Sequence, residues 1–154
     1  MSACLGCMLI FVSEEGVTDS LVVGDVMTTE LVTSQVDTPL LTVLARLTGN
    51  KIRHMPIVDE SNTLRGIISK RDMLNAHLTT KLVSDDRIAG HIMTRDVVTA
   101  RVNDRLSQVA RTLFEKKIGA LPVVDEKGRL VGIVTEADFV RLYFEGTSGK
   151  RSAD

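Results

Sequence analysis

The sequence predicts an α/β (α+β) chain in which two β-α-β-β-α units face each other across a pseudo-twofold axis, each unit a small mixed sheet packed with helices. Three observations lead there. The chain repeats itself at a constant offset, both repeats carry the same order of apolar runs and helical stripes, and one repeat alone is too short to bury an adequate core. With Met27 laid on Met93, 66 residues further on, Pro56 falls on Pro122, Gly66 on Gly132 and Asp72 on Asp138, with no gap between Gly24 and Met73. KIRHMPIVDE then lies on KIGALPVVDE, and LRGIISKRD on LVGIVTEAD. Duplication of one unit produces such a register; chance does not.

The elements follow in order. A turn or short helix ends at Val26-Met27-Thr28 and again at Ile92-Met93-Thr94. A short strand is expected at Leu31-Val32-Thr33 and at Val97-Val98-Thr99. A helix starts after Asp37-Thr38 with Pro39 in its first position, where a missing N–H is harmless, and its counterpart starts after Asn103-Asp104. Leu40, Val43, Leu44 and Leu47 recur at helical spacing, as do Leu106, Val109, Ala110 and Leu113, and are expected to face the core. Strands Met55 to Val58 and Leu64 to Ser69 flank the turn Asp59-Glu60-Ser61-Asn62; Leu121 to Val124 and Leu130 to Thr135 flank Asp125-Glu126-Lys127-Gly128. A last helix begins at Ser69 or Thr135 and carries Met73, Leu74 and His77, or Phe139, Val140 and Tyr143. The two units are expected to share one core, with Met27 and Met93 in it. Residues 1–19 read as a loose N-terminal segment, 20–77 and 87–144 as the units, 78–86 as a linker and 145–154 as a disordered tail.

Composition narrows the function. Hydrophobic residues make up 44% of the 154, but aromatics only 3%, so Val, Leu, Ile and Met must build the core. The same scarcity leaves no aromatic platform on which single-stranded nucleic acid could stack. A formal charge of −1 lacks the basic excess of a nucleic-acid binder. Cys4 and Cys7 supply two thiolates where a structural zinc site takes about four ligands, so they read as reduced thiols, with a redox- or metal-responsive role as the alternative. The apolar start MSACLGCMLIFV is shorter than the ~20 residues of a membrane span and lacks a cationic leader, so a cytoplasmic location is expected and no membrane partner. Gly146-Thr147-Ser148-Gly149-Lys150 lacks the spacing of a phosphate loop, and no nucleophile, base and acid assemble among the cysteines and histidines, so no catalytic residue is assigned.

The paired pattern of h-P-h-V-D-E followed by L-x-G-h-h-S/T-x-x-D, with V-M-T or I-M-T ahead of it, resembles the CBS domain, named after cystathionine β-synthase. Two copies in phase resemble the tandem CBS pair, or Bateman module, of stand-alone bacterial and archaeal type. The resemblance covers residues 20–144. It implies a non-enzymatic regulatory module that binds AMP, ADP, ATP or S-adenosylmethionine in clefts between the motifs. It also implies a homodimer with its four motifs in a disc, signalling to a protein effector. A structural dimerisation module without ligand is the other reading.

Ser69-Lys70-Arg71-Asp72 lies where a strand ends and a helix begins, and unpaired N–H groups with the helix dipole make that corner attractive to phosphate. Ser69 can cap the helix or donate to a phosphate oxygen, and Asp72 can accept from two vicinal ribose hydroxyls. Thr135 and Asp138 repeat the pair. The same spacing is a capping pattern, and the two roles are compatible. Arg53-His54-Met55-Pro56 and Gly119-Ala120-Leu121-Pro122 are candidate adenine-reading segments, because proline leaves backbone groups free to face a ligand. Met55 and Leu121 fit a core role equally. The resemblance adds Val32, Thr33, Val98 and Thr99 as walls. The repeats differ chemically: Arg53, His54, Lys70 and Arg71 in the first stand where the second has Gly119, Ala120, Glu136 and Ala137. The Ser69/Asp72 site is therefore expected to favour the more anionic ligand. The Thr135/Asp138 site would take a less charged adenosine or borrow Arg53 and His54 across the pseudo-twofold.

Overall fold

The computed structural model describes residues 21–79 and 86–148. Each unit opens with a one-turn 3-10 helix, Val23–Asp25 or Ala89–His91. The first unit continues through β1 (Ser34–Gln35), α1 (Leu40–Gly49), β2 (His54–Val58), β3 (Leu64–Ser69) and α2 (Lys70–Thr79). The second continues through α3 (Leu106–Lys116), β4 (Ala120–Val124), β5 (Leu130–Thr135) and α4 (Glu136–Ser148). The hairpins β2–β3 and β4–β5 are antiparallel and in identical register, Pro56 opposite Ile67 and Pro122 opposite Ile133. Their turns pass through the left-handed region at Asn62 (φ 61°) and Gly128 (φ 77°), residue types that accept it.

Three expectations change. Leu31-Val32-Thr33 and Val97-Val98-Thr99 are not strands; the parallel ladder starts at Ser34, opposite Ile57, and in the second unit is a single bridge between Ala100 and Val123. The chain comes alongside the hairpin only at Ser34 and Ala100, and apolar runs that arrive earlier have no ladder to join. Pro39 is the N-cap residue of α1, with extended ψ of 140°, as Arg105 is for α3. Leu44 is 42% exposed, while Leu40, Val43 and Leu47 are buried, so the inward face of α1 is narrower than the apolar spacing suggests.

The expected single core is two. Val43, Leu47, Met55, Ile57 and Ile68 of the first unit enclose Ala89 and Met93 of the second. Leu106, Val109, Leu113, Leu121, Val123 and Val134 of the second enclose Val23 and Val26 of the first. Each unit is therefore closed by the leading segment of the other. Backbone hydrogen bonds repeat the exchange in phase: Val23 N donates to Asp104 O (2.9 Å) and Ala89 N to Thr38 O (2.8 Å). Leu106 N donates to Leu21 O (3.0 Å) and Leu40 N to Arg87 O (2.9 Å), so the crossing segments satisfy a first-turn N–H of α3 and of α1, which have no side-chain cap. Thr28 pairs with Ile133 and Thr94 with Ile67, extending each hairpin by one bridge.

α2 runs into the expected linker and α4 continues to Ser148, past residue 144. Cys4, Cys7, residues 80–85 of the linker and the tail beyond 148 lie outside the described residues. Among the described residues no helix is long and apolar enough to cross a membrane.

Candidate functional site

In each unit the last strand ends and the last helix begins beside the residues that precede the proline. His54 lies opposite Ser69 and Ala120 opposite Thr135. Lys70 N donates to Arg53 O (2.9 Å), and Glu136 N to Gly119 O (3.2 Å), so the first helical amide of α2 and of α4 is tied to the strand before it. This brings Arg53, His54, Ser69, Lys70, Arg71 and Asp72 to one sheet end, and Gly119, Ala120, Thr135 and Asp138 to the equivalent one.

Both corners are capped. Asp72 Oδ2 accepts from Ser69 N and Ser69 Oγ, each at 2.7 Å, and Asp72 N donates back to Ser69 Oγ at 3.2 Å. Asp138 Oδ2 accepts from Thr135 N (2.8 Å) and Thr135 Oγ1 (3.0 Å). The return bond at Ser69 satisfies the Asp72 amide of the first turn, and both corners place an acidic residue at the positive end of the helix dipole. The corners then diverge. Asp138 is 6% exposed, and its Oδ1 accepts from Arg141 Nη2 (3.0 Å), which also donates to Val26 O (3.0 Å). Asp72 is only half-buried, and its Oδ1 accepts no hydrogen bond from the described residues. Sequence reasoning missed Arg141; the D-x-x-R spacing on a helix was the available signal.

Met55 (0% exposed) and Leu121 (1%) take the core alternative, and Pro56 and Pro122 are buried inside β2 and β4, not at strand starts. Pro122 O accepts from Ala100 N, so the proline's donor-less side faces the edge where the parallel ladder has yet to begin. Val32 and Val98 pack against the two cores, Thr33 is half-buried and Thr99 is exposed. Arg46, a second residue the sequence did not suggest, donates from Nη1 to Thr33 O (2.8 Å) and Ser34 Oγ (3.1 Å), fixing that wall to α1.

The side chain of His54 also crosses between the units. A Cβ placed on Gly119 would lie 2.8 Å from His54 Cε1, 3.1 Å from Nε2 and 3.7 Å from Glu136 Oε2. The imidazole thus lies against the backbone of the other unit in space that only glycine leaves. Burial holds its pKa below the ordinary 6.5; Glu136 and Asp72 oppose that shift, and Arg53 and Arg71 add to it. A separate surface groove of ≈ 390 Å³ is lined by Arg105, Ser107, Gln108, Arg111 and Thr112 along α3 and includes none of these residues.

The profile of the CBS domain matches residues 23–79 and 89–145. The chain belongs to the CBS domain family. Protein MJ1225 of Methanocaldococcus jannaschii is 37% identical to this CBS pair over 109 residues, 71% of this chain and 36% of that protein. The chain spans 23% to 36% of the length of the first four curated relatives it matches. The solved CBS pair of protein MJ0100, in complex with 5′-methylthioadenosine and S-adenosyl-L-methionine, superposes with a TM-score of 0.73 at 32% identity, covering 82% of this chain and 98% of that one. CBSX2 in complex with AMP superposes with a TM-score of 0.72 at 32% identity, with the same coverage.

Proposed function

We propose that this CBS pair is a non-catalytic regulatory module. It binds adenosine-bearing ligands at its two strand-to-helix corners and passes on occupancy as a change in how the units sit against each other. The observation that carries the reading is the in-phase duplication of the Ser69/Asp72 and Thr135/Asp138 corners, each held beside a pre-proline segment. Pairs of this family at 32% identity hold AMP, or 5′-methylthioadenosine and S-adenosylmethionine, which supports an adenosine moiety as the shared feature. Signalling requires the ligand to favour one arrangement of the units over another; tight binding alone moves no equilibrium.

The corners are proposed to differ. Arg53, Lys70 and Arg71 stand at the same strand-to-helix corner as Asp72, so this corner takes the more anionic ligand, such as ATP. At Asp138 the carboxylate must release Arg141 before both its oxygens can meet a ribose, so this corner binds more weakly and suits a less charged adenosine. The module is proposed to work in the cytoplasm as a homodimer with its four motifs in a disc, reporting to a protein effector.

Thermal unfolding with AMP, ATP or S-adenosylmethionine tests the reading, since a ligand at 100 times its Kd adds about 2.7 kcal/mol to native stability. Calorimetry then compares Asp72→Ala with Asp138→Ala. Asp72→Ala is expected to lower ATP affinity tenfold or more and Asp138→Ala less. Equal losses remove the asymmetry. No response to any adenosine compound leaves the purely structural dimerisation module, which the complete capping of both corners favours.

A further inference from the structure

The asymmetry at Gly119 has a chemical consequence. His54 opens β2, faces Ser69 across the hairpin and rests its ring against Gly119 and near Glu136 of the other unit. Its equivalent in the second unit is Ala120, so the crossing occurs once per chain. The charged groups that face the ring are Arg53 beside it, Arg71 and Asp72 on the first turn of α2, and Glu136 on the first turn of α4; Gly119, leading into β4, offers backbone only. Two guanidinium groups and two carboxylates surround one half-buried imidazole. Their opposing effects leave desolvation dominant, so any charge a ligand adds weighs directly on the ring.

We propose that His54 makes anion binding at this junction proton-linked: a ligand that brings phosphate charge beside the ring is bound together with one proton from solvent, and an uncharged adenosine ligand is not. The inference rests on the reading of the junction as an adenosine-ligand site. In the empty protein the neutral imidazole is favoured, because burial costs the imidazolium its hydration. A phosphate nearby supplies the missing counter-charge, the buffer acid gives up its proton, and the ring becomes imidazolium; no other bond forms or breaks. Linkage is reciprocal, so if the anion favours protonation, protonation must favour the anion by the same factor. His54 thereby sets which ligand the CBS pair prefers as pH changes, towards phosphorylated adenosine in acid and away from it in alkali.

The test uses the full chain, with ATP and adenosine as probes. Calorimetry at neutral pH in two buffers of different ionisation enthalpy is expected to show net proton uptake with ATP and none with adenosine. Between pH 8 and pH 5 ATP affinity is expected to rise several-fold in the parent relative to His54→Asn, approaching the roughly tenfold limit of a shift of about one pKa unit. Ionisation of ATP itself is common to both proteins and cancels. The chain has three histidines. A His77→Gln/His91→Gln variant leaves His54 as the sole imidazole, whose NMR titration should move upward on adding ATP, and this arm decides even if His54→Asn does not fold. An unmoved titration, or equal proton uptake with and without His54, overturns the linkage while ATP binding leaves the nucleotide reading standing. Failure of both probes to bind at any pH overturns both.

Discussion

Asp59 and Asp125 close the two hairpins by the same chemistry. Each Oδ1 accepts two backbone amides at 2.9 Å, from Ser61 and Thr63 or from Lys127 and Arg129, while Oδ2 accepts from the Nε of Arg65 or Arg129 at 2.8 Å. The amides of Thr63 and Arg129 are the main reason both carboxyls ionise below the usual 3.8, and the exposed arginine pairs add less. A lowered folded pKa means that the unfolded chain binds more protons between the two values. The contribution is therefore complete above pH 3.8 and is lost as pH falls through the folded pKa. Thermal unfolding of the parent should weaken more steeply below about pH 4 than that of Asp59→Asn/Asp125→Asn; parallel curves would refute this account. These turns were readable beforehand, because V-D-E followed by Asn or Gly is local turn chemistry. The caps at Asp72 and Asp138 were readable for the same reason. The ring of His54 against Gly119 was not, since the two residues are neighbours only across the junction between units.

The leading segments are the elements whose placement changes the molecule. Met93 packs on Gly66 and Met27 on Gly132, and in each case a Cβ would collide, but with different atoms. At Gly66 it would meet Met93 Sδ at 2.7 Å, Met93 Cγ at 2.9 Å and the carbonyl oxygen of Thr94 at 2.9 Å, a backbone atom engaged with Ile67. At Gly132 the nearest atom is the thioether of Met27 at 2.5 Å, with the Thr28 carbonyl farther off at 3.3 Å, and a methionine can turn aside. Gly66→Ala is expected to cost roughly 1–3 kcal/mol and Gly132→Ala less, measured by urea unfolding. Equal costs, or the reverse order, would mean that the two exchanged segments are not held as described. Met27 and Met93 were readable as core residues, but not whose core they enter. Hydrophobic period states that a face is covered and is silent on what covers it. The strand misplaced at Leu31 to Thr33 has the same origin, because a strand exists only where a partner edge is within hydrogen-bonding reach.

For the whole molecule, exchange makes the pair indivisible: neither core is complete without the leading segment of the other half. Association between chains is a separate matter. Leu74 on α2 and Val140 on α4 occupy the same position in the repeat and are 63% and 56% exposed. A duplicated apolar position on both last helices suits a symmetric contact between copies. Leu74→Glu/Val140→Glu is expected to halve the mass found by sedimentation while leaving the melting temperature nearly unchanged, and a parent chain that sediments as a monomer would remove the homodimer. Residue order alone determined the duplication, read from the constant 66-residue offset, and the order of elements, the hairpin turns and the helix caps, which depend on neighbours a few positions apart. Tertiary structure alone decided the exchange of leading segments, the number of cores, the reach of Arg141 to the Val26 carbonyl and the lodging of His54 in the space left by Gly119. Contacts between the halves depend on which faces meet, and a pattern written twice along one chain carries no record of which copy packs against which.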